Sequence, residues 1–140
     1  MTIIVCVDDH GGMLFNRRRV SSDRIVTGKL PQIAAPGRLR IKPYSAKLFA
    51  DFNGIYVGDD YLSAAGHGDT CFAEEQLLPA DLNRASRVIV FHWNRSYPSD
   101  VKFPLEQLRK LAKLESVTEF RGNSHEKITQ EVYALSKSAD

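Results

Sequence analysis

The run Thr2-Ile3-Ile4-Val5-Cys6-Val7 shows no alternation of polar and apolar residues. A strand with one wet face alternates with period two, whereas a continuous β-branched run belongs to a strand covered on both faces. The chain is therefore expected to build a sheet with packed layers on each side. Arg87–Trp93, RVIVFHW, repeats the pattern. Short amphipathic stretches separate such runs, and strands alternating with helices give an α/β domain. At 140 residues the chain is long enough for a single core of ordinary size, so one domain over residues 1–140 is expected.

Between the two apolar runs, SSDRIV opens a helix, with Ser21 or Ser22 as cap and Asp23 in the first turn. Gly28 and Pro31 weaken that helix and Ala35–Gly37 ends it. Leu39–Ile41 and Gly54–Gly58 read as short strands, and Ser45 as the cap of a helix through AKLFADF. DTCFAEE, residues 69–75, reads as a buried strand running directly into a helix over Gln76–Ala85. PLEQLRKLAKL has the helical spacing and ESVTEF that of a strand. Residues 126–135 stay ambiguous: Ile128, Val132 and Leu135 fit a helix, while Ile128 and Val132 also share a strand face.

Composition narrows function mainly by exclusion. A formal net charge of +2 supplies no molecule-wide field for nucleic acid or an acidic membrane surface. No window holds the 18 apolar residues of a membrane span. The first strand lacks a basic leader and runs into Asp8-Asp9, unlike a secretory signal. Cys6 and Cys71 sit in apolar runs and are expected to be reduced, so the expected location is the cytoplasm. The four histidines, His10, His67, His92 and His125, show no metal-ligand spacing, and no metal site is expected.

Three features carry chemistry. Glu74-Glu75 stand at the expected strand-to-helix junction, where a nucleotide-binding protein keeps glycines so that phosphate can reach backbone N–H groups. A carboxylate about 4 Å from a phosphate opposes binding by roughly 4 kcal/mol at an effective dielectric near 20. Arg17-Arg18-Arg19 can grip an anionic small molecule or touch RNA, although no aromatic residues interleave the arginines as single-strand RNA readers require. Their plain alternative is a solvated loop. Asp23 can serve as a proton donor if burial raises its pKa, or simply as a carboxylate satisfied at a helix start.

FAEEQLLPADLNRASRVIVFHW, SDVKFP, ESVTEF and NSHEKITQEVY, in that order, resemble the dihydrofolate reductase family. Asp100, Phe103 and Pro104 stand in its Asp-x-x-Phe-Pro pattern. The resemblance implies a three-layer α/β domain whose central mixed, mostly parallel sheet ends in an antiparallel hairpin, which makes 126–135 a strand. It implies that Asp23 lies near the family's catalytic acid, and that Ser45 lies where a hydroxyl touches cofactor phosphate. It also brings Arg17, Arg18 and Arg19 beside the cleft. The chain departs from the family in three places. The Pro-Trp before the acid is replaced by the arginine run, IKPYS replaces the Gly-Arg-x-Thr phosphate motif, and Glu74-Glu75 replace the glycines.

A looser similarity holds to short uncharacterised bacterial proteins labelled ribonuclease Z. That zinc class needs His-x-His-x-Asp-His, and this chain offers only His67 and Asp69 in GHGD. The expectation is thus a protein of dihydrofolate reductase-like fold that has lost NADPH binding, needs no cofactor, and holds a small anionic or heterocyclic ligand. It is expected not to be a functional dihydrofolate reductase. The alternatives are an NADPH-dependent reductase with altered contacts and an RNA-binding or RNA-processing protein. The sequence does not fix the oligomeric state.

Overall fold

The computed structural model describes residues 1–135. Its main sheet has seven strands among those residues, in the order β5-β4-β6-β1-β7-β10-β9. These are β1 (Thr2–Val7), β4 (Leu39–Ile41), β5 (Tyr56–Val57), β6 (Thr70–Phe72), β7 (Arg87–His92), β9 (Ala112–Phe120) and β10 (Ile128–Leu135). β5, β4, β6, β1 and β7 run parallel, then β10 pairs antiparallel with β7 and β9 antiparallel with β10.

Both apolar runs occupy the middle of this sheet, and their alternate residues feed opposite layers. Ile3, Val5 and Val7 of β1 and Val88 and Val90 of β7 join Leu82, Leu108 and Tyr133 on one side. Ile4 of β1 and Ile89 and Phe91 of β7 join Val26, Leu30, Phe49 and Trp93 on the other. The absence of alternation in the sequence follows directly from this two-sided burial.

Helix α1 (Arg24–Ala34) covers the second layer with Val26, Leu30 and Ala34. Its cap is Asp23 rather than Ser21 or Ser22: the Asp23 carboxylate accepts from the Ile25 N–H at 2.9 Å. The expected helix after Ser45 is a 3₁₀ helix over Pro43–Phe49. Pro43 supplies the first-turn residue, so the helix opens before Ser45 and buries that serine within it. A second small sheet, which the sequence did not announce, joins β2 (Gly12–Phe15), β3 (Arg18–Arg19) and β8 (Val101–Lys102) in the order β3-β2-β8.

The strand-to-helix junction after β6 differs from its expectation. Helix α2 spans only Pro79–Arg84 and is preceded by Leu78, whose N–H donates to Asp81 at 2.8 Å. Proline at the first helical position sets the start, because its missing N–H is one the helix does not need there. Glu74 and Glu75 consequently lie in a connection upstream of the helix rather than at its mouth. Helix α3 (Leu105–Leu111) runs directly into β9, so that strand begins at Ala112, before ESVTEF. β10 is a strand throughout its described length, since pairing on both sides to β7 and β9 outweighs a locally helical spacing.

Candidate functional site

Parallel strands present their carboxyl ends on one side of a sheet, and ligands of open α/β sheets gather there. Lys42 follows β4, Ala73 and Glu74 follow β6, Asp8 follows β1 and Trp93 follows β7. The β2–β3 hairpin adds its arginines to this end.

Glu74 turns inward and is 5% exposed. Arg19 grips it with both prongs of the guanidinium, Nε to Oε2 at 2.8 Å and Nη2 to Oε1 at 2.9 Å. Ser45 donates its hydroxyl to Oε1 at 2.6 Å. Tyr44 lies under the same guanidinium, 4.4 Å from ring centroid to Cζ. Burial opposes the charge on Arg19, but the Glu74 hydrogen bond and charge outweigh it and raise the Arg19 pKa. Two of the residues expected to bind a ligand, Arg19 and Ser45, thus meet on an internal carboxylate. Glu75 instead accepts from the Tyr61 hydroxyl at 2.5 Å. Sequence reading found the glutamate pair but assigned it to a helix start; Pro79 was the available signal that the helix begins later.

Arg17 and Arg18 are exposed. Asn16 and Arg17 adopt φ of 51° and 66° at the hairpin tip, a conformation that a two-residue hairpin turn requires. Asp100 stabilises that tip by accepting from the Asn16 N–H at 3.0 Å. Arg17 lines a cleft of about 500 Å³ together with Lys42, Tyr44, Glu74 and Asp100. Arg18 and Arg19 line a neighbouring cleft of about 560 Å³ with Phe15 and Tyr97. The arginines therefore face two clefts, not one.

Asp23 is 3% exposed and lies at the far end of a second network. Its carboxylate accepts from the N–H groups of Ile25, Asn123 and Ser124, each at 2.9 Å, and meets His125 Nδ1 at 3.0 Å. Burial alone would raise its pKa. The backbone donors from Asn123 and Ser124, then His125 and Ile25, overcome that and hold the carboxyl far below the usual carboxylate range. His125 stacks on Trp93 with centroids 4.6 Å apart, and its Nε2 lies 2.8 Å from the Ser21 hydroxyl. Ser21, His125 and Tyr97 are members of this site that the sequence reading had not assigned to it. The hairpin turn that delivers His125 closes about a hundred residues away from Asp23 in sequence, and no local spacing reports that contact.

Cys6 and Cys71 are free thiols, Cys71 buried and Cys6 half-buried. Burial pushes Cys71 up to about 11 and Cys6 well above the ordinary thiol value. Among the described residues no group of three or more His, Cys, Asp or Glu is arranged to hold a metal ion. No helix among them is long and apolar enough to cross a membrane.

No protein-family model matches the chain, and no curated protein matches it. A solved structure, dihydrofolate reductase from Enterococcus faecalis complexed with NADP(H) and RAB-propyl, matches 97% of this chain and 96% of its own, with a TM-score of 0.64. The fold is dihydrofolate reductase-like. At 11% identity the likeness is one of fold alone, so the chemistry of this dihydrofolate reductase-like domain must be argued from its own side chains.

Proposed function

We propose that this dihydrofolate reductase-like protein holds a small anionic or heterocyclic molecule in the cleft of Arg17, Lys42 and Tyr44, and does not take NADP(H) as the matched reductase does. The observation that supports this is the Arg19–Glu74–Ser45 cluster. A bidentate arginine and a hydroxyl are a ready seat for a phosphate, and here the chain's own carboxylate sits in it. An incoming phosphate must displace Glu74 and leave that charge buried, at a cost of several kcal/mol. Occupancy by Glu74, not repulsion at a helix mouth, is what keeps the phosphate out. The cations left around the cleft are Arg17 and Lys42, with the Tyr44 ring beside them to stack on a planar group.

Thermal unfolding tests the reading. Inorganic phosphate at tens of millimolar should raise the melting temperature of the wild type, and the Arg17→Ala/Lys42→Ala double variant should lose that response. NADPH at millimolar concentration should leave the wild type unchanged. Ligand linkage contributes about 2.7 kcal/mol at a hundredfold excess over Kd, so a clear NADPH shift would instead mark a reductase with altered cofactor contacts.

A further inference from the structure

We propose that Ser21 is an activated nucleophile, driven by His125 and Asp23, that accepts an acyl group from a small ester or thioester bearing an anionic substituent. The inference is independent of whether the Glu74 cleft holds a ligand. It stands on two consecutive contacts, Asp23 Oδ2 to His125 Nδ1 at 3.0 Å and His125 Nε2 to Ser21 Oγ at 2.8 Å, and on the partial exposure of Ser21 at their outer end. A Ser-His-Asp relay is recognised by geometry and roles, not by order in the chain.

Each role follows from its neighbours. An ionised carboxylate only accepts, so Asp23 requires the proton of His125 to be on Nδ1. In the neutral ring Nε2 then carries the lone pair, and the hydroxyl in front of it donates. The imidazole cannot turn away, because it is 3% exposed and stacked face-on against Trp93, with a 23° angle between the rings. The outer half of the relay satisfies the second nitrogen of a buried imidazole and at the same time carries the contacts out to a partly exposed hydroxyl. Asp23 already has three backbone donors, so the His125 contact is additional to a carboxylate that is satisfied without it.

One donor flanks the reacting centre. The Tyr97 hydroxyl is 3.4 Å from Ser21 Oγ and 3.4 Å from His125 Nε2. Trp93, stacked on His125, holds a buried indole N–H with no hydrogen-bond partner. Tyr97 also lines the cleft that contains Arg18, which selects for a negative group on the acyl donor.

In the reaction Ser21 Oγ attacks the carbonyl carbon as its proton passes to His125 Nε2. The tetrahedral adduct collapses, breaking the bond to the leaving alcohol or thiol, which takes that proton. Water, deprotonated by the same nitrogen, then releases the acid and restores the hydroxyl. The oxidation state of every atom is unchanged.

The test uses the full chain. Diisopropyl fluorophosphate should give one adduct, located on Ser21 by peptide mass spectrometry, and Ser21→Ala should abolish it while Ser22→Ala retains it. Tyr97→Phe should slow adduct formation without shifting the melting temperature, which a merely structural tyrosine would not do. Ser21→Cys provides a second readout: its alkylation by iodoacetamide should exceed that of a free cysteine by at least about a hundredfold, the smallest effect typical of a positioned base. No adduct, an adduct elsewhere only, or an ordinary thiol rate would each overturn the proposal.

Discussion

Gly122 leaves no room for a side chain against Asp23: a Cβ added there would collide with the Asp23 carboxylate and stand 2.6 Å from Ile128 Cδ1. This close approach lets the β9–β10 turn deliver the N–H groups of Asn123 and Ser124, and the ring of His125, to one buried carboxylate. Gly122→Ala should therefore push the turn off α1 and cost about 2–4 kcal/mol, in the range of lost buried hydrogen bonds plus overpacking. Urea unfolding measures it, and an unchanged midpoint would show that the turn does not depend on this contact.

Gly28 makes the opposite case. It lies inside α1, and a Cβ there would meet nothing within 4 Å. Alanine in a helix interior is favoured over glycine by up to about 1 kcal/mol. Gly28→Ala should raise the melting temperature by a few degrees, and Gly122→Ala and Gly28→Ala should add independently when combined.

Acid should unfold the protein partly through Asp23. Its folded pKa is depressed, so between that value and the unfolded value near 4 the unfolded chain binds more protons. The contribution is therefore complete above about pH 5 and declines as pH falls through the carboxylate range and below. Asp8 adds to the same slope. Burial opposes its ionisation, but donation from the Tyr97, Gly12 and His10 N–H groups lowers its pKa. Stability measured against pH should fall toward pH 2 in the wild type and fall less steeply in Asp23→Asn, which has no charge to titrate. Equal slopes would mean that Asp23 is solvated in the folded state.

The middle of the sheet was legible because burial on both faces writes itself into consecutive residues, as in Ile3-Ile4-Val5. Leu39–Ile41 was legible by the opposite pattern, since Leu39 and Ile41 alternate with Arg40 and enter one layer together. What decides the site is not written locally. Glu74 looked like a helix-start residue because its neighbours are helix formers, yet its side chain answers to Arg19, 55 positions away. Ser21 looked like a cap because serine before a helix usually is one, but Asp23 takes the cap and leaves Ser21 facing His125, 104 positions on. Both errors have one physical origin: a polar side chain takes the best partner that the tertiary fold supplies, and local propensity is worth less than a buried hydrogen bond.

The Arg19–Glu74 pair itself makes a sharp energetic prediction. The Glu74 side chain is 7% exposed and that of Arg19 22%, so salt should screen the interaction little. Removing either partner strands the other charge, and Glu74→Ala should cost about 2–4 kcal/mol, somewhat under the fully buried case because Arg19 retains some solvent. Ser45 loses its acceptor in the same variant. A double-mutant cycle with Arg19→Ala should return a coupling of about 1–3 kcal/mol that changes little between 0.1 and 1 M salt. Glu74→Ala also vacates the seat between Arg19 and Ser45, so millimolar phosphate should restore part of the lost stability in that variant, and do so less in Glu74→Ala/Arg19→Ala. Restoration that is equal in both would place the bound phosphate away from Arg19, and the carboxylate would then no longer count as the stand-in for an external anion.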